Sequence, residues 1–340
     1  MKNVFLTFIA VLCYSTAFSQ LFHKDKIKQS ELESTYTASA DIMGTHFDFV
    51  AISDDSKVAK SAIRDGIKEA KKIEKEISSW DDHSETSKIN KYAGKKPVKV
   101  SSELYALIEK CLEISEMTSG GFDITAASFD QIYNEGSNSG DYSKLGEVAK
   151  KASYKNIILN PAKKTVYLKY PEMKIGFGAV GKGYAASKVA SVMQDAGAVG
   201  GFVNADGDVL TWGTQADGSH WNVHIPDHLG ENNSLNKHHL QKHRAVSYLH
   251  SSEDYMMMKD EKYSEVVCTE TGYPFKGHQN VIVVGKDPIM TDAISTAVMA
   301  SPPLKALKLI NNLDDVEGLI RSHDGNVHMS DNFTYSYEDR

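Results

Sequence analysis

The run Gly176-Phe-Gly-Ala-Val-Gly-Lys-Gly-Tyr-Ala185 constrains this chain more than any other stretch. Its glycines leave backbone N–H groups open to close approach, and Lys182 adds one cation, which together suit a diphosphate lying against the main chain. The run contains G-x-G-x-x-G at Gly176, Gly178 and Gly181, after an apparent strand and before a helix. A Rossmann-type dinucleotide unit is therefore one reading, with Asp206 near the later acidic position. It also approaches a P-loop, except that Gly183 stands where a P-loop carries the Ser or Thr that holds magnesium. A tight strand-to-helix connection without any ligand is the bland alternative.

A second segment, Thr291-Asp-Ala-Ile-Ser-Thr-Ala297, places Asp292 and Thr296 four residues apart. On a helix both point to one face, and both are hard oxygen donors of the kind magnesium takes. The same residues also serve a helix with no metal. An aspartate in the first turn suits the helix dipole, and a threonine can hydrogen-bond back to a carbonyl one turn earlier.

The chain has 340 residues, enough for one large or two modest units with a buried core, and a net charge of −7 with both signs interspersed. No basic stripe is present, so nucleic acid is excluded as a partner class, and the acidic balance argues against docking on anionic lipid. The first residues read as a secretory signal, residues 1–19. Met1-Lys-Asn is a positive start, Val4 to Cys13 an apolar run too short to span a bilayer, and Ala17-Phe-Ser19 a cleavage site before Gln20. Cys13 raises lipidation, but Leu12 precedes it where a lipobox needs a small residue. Export to a periplasm is expected. Only Cys111 and Cys268 remain after cleavage, Cys111 reading as a core residue, and no disulfide is expected.

Residues 20–38 are polar and read as a mobile lead-in, followed by a strand from Ile42 to Ile52. Apolar residues at Val58, Ile63, Ile67, Ala70, Ile73 and Ile77 predict a helix over 56–79, and a second is predicted over 102–117, stopped by Ser119-Gly-Gly121. Asn134 to Gly140 reads as a loop, and Asn160-Pro-Ala-Lys as the turn of a hairpin. A helix from Ser187 to Ala196, a strand from Gly201 to Asn204, a buried strand from Asn280 to Val284 and a last hairpin at Asp324-Gly325 complete the outline. The histidines between His220 and His250 match no ligand spacing and read as a solvated loop.

Several shorter motifs decide nothing alone. Ser119-Gly-Gly-Phe-Asp-Ile-Thr125 is either a helix stop or a place where a ligand meets backbone, with Asp123 accepting from a base or ribose. Met43 and Trp80 are either core residues or the two sides of a flat ring. Glu270-Thr-Gly-Tyr-Pro274 reads as a turn.

In order along the chain, however, these segments resemble the FAD:protein FMN transferase family, the ApbE-type flavin transferases. The resemblance runs through Met43-Gly-Thr45, Ser84-Glu-Thr-Ser-Lys-Ile-Asn90, Ser119-Gly-Gly-Phe-Asp123 and Gly178-Ala-Val-Gly-Lys-Gly-Tyr-Ala185. It continues through Asn204-Ala-Asp-Gly-Asp208, Thr271-Gly-Tyr-Pro274 and Asp292-Ala-Ile-Ser-Thr-Ala297. Motifs in family order are more specific than any glycine pattern and displace the Rossmann reading. The family's location, periplasmic or membrane-anchored on that side, agrees with the signal.

The resemblance implies an α+β fold with mixed sheets and packed helices, a single large T-fold-like unit of two lobes spanning residues 39–340. It implies FAD as substrate with Mg2+, and a threonine-bearing acceptor protein that receives FMN as AMP departs. Asp292, Thr296 and the Ala179 carbonyl match the metal positions, and Met43 and Trp80 the flanks of the isoalloxazine. Gly121, Phe122, Asp123, Gly176, Val267 and Lys182 match nucleotide contacts, Lys182 lying beside the phosphates with a catalytic role. Two departures stand out. The family reads Ser-His-Ile-Ile-Asp-Pro where this chain has Ser264-Glu-Val-Val-Cys-Thr269, so Glu265 replaces the histidine that activates the acceptor hydroxyl and becomes the candidate base. In addition, Gly176 and Ser187 stand where many relatives have aspartates. Glu265 keeps two alternatives open: an FAD pyrophosphatase, or a flavin-binding protein without turnover.

Overall fold

The computed structural model describes residues 35–226, 235–240, 244–250, 255–258, 261–264, 266–333 and 336–337. Its frame is an eight-stranded sheet whose order across the sheet is the order along the chain. The strands are β1 (Thr35–Ile42), β2 (Thr45–Ile52), β3 (Gly200–Ala205), β4 (Asp208–Trp212), β5 (Ala245–His250), β6 (Asn280–Gly285), β7 (Glu317–Arg321) and β8 (Val327–Met329). Every pairing between them is antiparallel. A Rossmann unit needs parallel neighbours joined by crossover helices, so this sheet rules that reading out.

The described α-helices are α1 (Ser56–Ile77), α2 (Glu85–Lys91), α3 (Ser102–Met117), α4 (Asp130–Ser139), α5 (Leu145–Ala149), α6 (Gly181–Asp195), α7 (Pro288–Met299) and α8 (Pro303–Asn311), and α1, α6, α7 and α8 pack on the sheet. Along the sheet, α1 packs on β1 and β2, α6 on β3 and β4, α7 on β5 and β6, and α8 on β7 and β8. α6 also lies between α1 and α7 and touches both. Strand residues alternate between two cores. Phe47, Phe49 and Ala51 face the helices, whereas Val50 and Ile52 join Phe202, Val246 and Trp221 on the opposite side. β3 and β6 are buried along their whole length, which for β6 matches the buried strand read over Asn280 to Val284.

Three smaller sheets complete the described structure. Val98–Lys99, Thr165–Leu168 and Ile157–Asn160 form one, Tyr255–Met258 and Glu261–Ser264 another, and Trp221–Pro226, Leu235–Leu240 and Ser336–Tyr337 the third. Among the described residues no helix is long and apolar enough to cross a membrane. Cys111 is buried and Cys268 half-buried, both as free thiols, as expected.

Several expectations need correction. Residues 35–38 belong to β1 and are not lead-in. The strand read from Ile42 is the second arm of a hairpin turned by Met43 (φ 57) and Gly44 (φ 76), a two-residue connection of the primed type. The segment Asn134 to Gly140 is helical up to Ser139, ending at Gly140 in the left-handed region; its Gly/Ser/Asn content hid a first turn begun by Asp130. The strand before the glycine run is Thr165–Leu168, as read, but residues 171–180 between it and the helix are irregular and turn, and α6 starts at Gly181, earlier than Ser187. The histidine-rich stretch is largely strand: His220 is exposed ahead of the first strand and His250 ends β5, while His228 and His243 lie outside the described residues. Residues 1–34, with the secretory signal, also lie outside them.

Candidate functional site

The glycine run ends by starting a helix whose first turn has no side-chain cap. Val180 occupies the capping position of α6 and contributes no hydrogen bond from its side chain; Gly181 N–H donates to the Phe177 carbonyl at 2.6 Å, which leaves the Lys182 and Gly183 amides for other acceptors. One such acceptor comes from a distant segment. Gly183 N–H donates to Asp292 Oδ2 at 2.9 Å, joining α6 to α7 across 109 residues. Only glycine fits at 183: a Cβ there would stand 2.2 Å from the Pro288 carbonyl oxygen and 3.0 Å from Asp292 Cβ. This is the physical reason the segment departs from a P-loop. The position is filled by the neighbouring helix, not by a phosphate-binding hydroxyl.

Asp292 is 2 % exposed, and burial, reinforced by the nearby Asp208 charge, pushes its carboxyl well above the usual range against the pull of Lys182 and the Gly183 amide. Asp208, at the start of β4, is equally buried, and burial raises it too against the attraction of Lys182. The Lys182 ammonium sits 3.1 Å from Asp208 Oδ2 and donates to the Asp206 carbonyl at 3.4 Å. Burial works against its charge, but Asp208, Asp292 and Asp206 outweigh that and hold Lys182 above the ordinary lysine value. The Asp208 contact is an ion pair lying off the hydrogen-bonding direction, for neither carboxylate oxygen has a well-directed donor. Two buried carboxylates therefore share one ammonium.

That charge arrangement and its donors fit a hard divalent cation: the carboxylates of Asp292 and Asp208 and the hydroxyl of Thr296 are all oxygen donors. Thr296 Oγ1 donates to the Asp292 carbonyl at 3.4 Å, the long back-bond that its helical alternative called for. Ala179 stands half-buried in the turn just before α6. Asp208 carries no role in the sequence reading. Its signal was an aspartate opening the apolar strand Asp-Val-Leu-Thr-Trp, where an unpaired charge is costly.

Of the remaining candidates, Met43 and Gly121 meet the helices of this core. Met43 reaches the same helix end, since a Cβ on Gly181 would be 3.2 Å from Met43 Cε. Gly121 brings the loop after α3 against α7, where its Cβ would meet Ala297 Cβ at 3.3 Å. Phe122 is buried. Asp123 is committed to the protein: Oδ1 accepts from Thr125 N–H (2.8 Å) and Oγ1 (2.7 Å), and Oδ2 from Tyr154 N–H (2.8 Å). Burial raises its carboxyl against those bonds. Trp80 is 77 % exposed and lines a cleft of about 450 Å³ with Ser79, Ala127, Gln131 and Lys174. Gly176 adjoins it, its missing Cβ lying 2.9 Å from Ala127 Cβ. Val267 bridges Pro274 in the turn that follows and packs with the Phe129 cluster. Glu265 lies outside the described residues.

The model of the ApbE family matches residues 43–320. The FAD:protein FMN transferase of Buchnera aphidicola subsp. Schizaphis graminum is 24% identical over 333 residues, covering 92% of this chain and 90% of its own. That of Buchnera aphidicola subsp. Baizongia pistaciae is 24% identical over 244 residues, covering 67% and 71%. Among solved structures, the ApbE protein of Thermotoga maritima superposes with TM-score 0.78 at 25% identity, covering 87% of this chain and 97% of its own. The apo flavinyl transferase ApbE of Pseudomonas stutzeri, at 16% identity and TM-score 0.75, covers 87% and 95% and bears on the fold.

Proposed function

This chain belongs to the ApbE family, and from that premise we propose that it transfers the FMN moiety of FAD to a threonine hydroxyl of an acceptor flavoprotein, with AMP leaving. The threonine oxygen bonds to the FMN phosphorus, the phosphoanhydride bond to AMP breaks, and the hydroxyl proton passes to a base. The observation that carries the reading is the 2.9 Å bond between Gly183 N–H and Asp292 Oδ2. It sets a helix start, Lys182 and two buried carboxylates around one small volume, as a diphosphate and its counter-ion require.

On this reading each candidate residue has a distinct task. The Lys182 ammonium and the Lys182 N–H at the start of α6 bind the diphosphate and offset its negative charge. Asp292, Thr296 and the Ala179 carbonyl would hold Mg2+, with Asp208 adding charge beside them. When bound, the ion stabilises charge developing on the breaking anhydride. Met43 and Trp80 hold the flavin ring, and Gly121, Phe122, Asp123, Gly176 and Val267 border the nucleotide. Glu265 takes the acceptor proton. The protein acts after export: residues 1–19 carry the charged start, apolar run and small-x-small site of a cleaved signal.

The test is direct. Purified protein is mixed with FAD, Mg2+ and a threonine-containing acceptor domain, and AMP and acceptor mass are followed. AMP release with an acceptor mass gain equal to FMN is expected. AMP with no mass change means that water is the nucleophile, and neither product means a binder.

A further inference from the structure

Met43 holds φ 57, in the left-handed region that a residue with a Cβ enters only at a cost. Its companion in the turn, Gly44 at φ 76, takes that conformation freely. The restraint on Met43 comes from outside the hairpin. Glu74, in the last turn of α1, accepts the Met43 N–H at Oε1 over 2.6 Å. A carboxylate accepting a backbone N–H at that length is a strong, directional bond.

The consequence is felt at the start of α6. With its backbone held this way, Met43 places Cε against Gly181, next to Ile77 Cδ1, which stands equally close to the position of a Gly181 Cβ at 3.2 Å. Gly181 immediately precedes Lys182. The other side of the same tip is tied separately, through Thr45 Oγ1 donating to Asp206 Oδ2 at 2.7 Å. The Thr45 bond joins two hairpin turns, whereas the Glu74 bond acts on Met43 itself. Glu74 faces no substrate role of its own in the site described above.

We propose that Glu74 is a positioning residue: by fixing Met43 in its left-handed turn it sets the height of the thioether over the α6 start, and so the grip on the flavin end of FAD. The inference rests on the reading of Met43 as a flavin contact. It assigns the control of that contact to a residue of α1, outside the motifs that define the site.

The experiment compares wild type, Glu74→Ala, Glu74→Gln and Glu74→Asp by two readouts. The first is FAD affinity, from flavin fluorescence on titration, with KM and kcat measured alongside. The second is the NOE between the Met43 ε-methyl and the Ile77 δ-methyl in protein labelled with 13C at those methyls. Losing the bond should weaken FAD binding by roughly tenfold in Glu74→Ala, with the loss in KM and far less in kcat, and the NOE should vanish. Glu74→Gln keeps an acceptor oxygen of the same reach and should restore both. Glu74→Asp falls short by one methylene and should follow Ala, which covers the case in which Ala does not fold. Unchanged FAD affinity, a retained NOE, or failure of Gln to rescue overturns the proposal. Wild type that shows the NOE but binds no FAD overturns the flavin reading and this role with it, and the NOE separates that outcome from a failure of Glu74 to place Met43.

Discussion

Burying Asp292 and Asp208 beside one lysine creates a cost that only a further positive charge relieves. The burial of both carboxylates raises them above the usual range, Asp292 well above it. A carboxyl raised in the folded state keeps its proton longer there than in the unfolded chain. Its contribution to stability therefore falls as pH climbs past the unfolded value of about 4. Asp292→Asn removes that cost and keeps an oxygen to accept the Gly183 N–H. Without divalent cation, the Asn variant should gain in melting temperature relative to wild type as pH rises from about 4 to 7. A difference that stays flat over that range would show that Asp292 is not held protonated. In saturating Mg2+ the wild type should recover the lost ground and the Asn variant should not. Asp292→Ala should abolish Mg2+-dependent turnover, read as AMP release; retained activity would move the metal elsewhere. The spacing of Asp292 and Thr296 was legible because it is local and helical. Asp208 was not, because nothing in a hairpin sequence tells which of Asp206 and Asp208 points into a buried space; that depends on β4 lying under α6.

Elements explain why the glycine run is written as it is. Gly183 is the point where α6 and α7 touch, and a Cβ would land 2.2 Å from a backbone oxygen that cannot rotate away. Gly183→Ala should therefore force the helices apart and cost about 1–3 kcal/mol, read as a lower urea midpoint with unchanged slope. It should also lengthen the Gly183–Asp292 bond and weaken Mg2+ binding by calorimetry. A stable variant with normal Mg2+ affinity would mean the contact is dispensable. The same glycines misled the prediction of α6, since four in the run lower helix propensity and place the expected start at Ser187. Where apolar periodicity was unbroken, as over Ser102–Met117, the predicted and observed helices coincide. α4 was missed because Gly136, Ser137 and Ser139 carry turn character; the Tyr142 ring packed at Gly136 is a tertiary contact, and no local pattern announces it.

Across the whole molecule, the site is assembled by a sheet whose ends are not equivalent. The turns at 43–44 and 206–207 sit at one end because β2 and β3 run antiparallel, with Phe47 opposite Ala205. That end also receives the start of α6, through Lys182 and Asp206. β1 closes the edge of this assembly, pairing with β2 over eight residues and feeding the Met43 turn. The family match begins only at residue 43, so β1 lies outside it. It is nonetheless part of the core: Ile42 is buried, and Tyr36, Ala38 and Ala40 pack against the main cluster. Ile42 alone stabilises by about 1.5–3 kcal/mol, and removing β1 bares the hydrogen-bonding edge of β2, a template for association with another chain. A chain beginning at Thr35 should thus melt cooperatively and bind FAD. One beginning at Met43 should melt lower, self-associate on sizing columns and bind FAD more weakly, since its flavin-side turn has lost one arm. Equal melting and equal affinity in the two chains would show that the sheet edge adds nothing to the site.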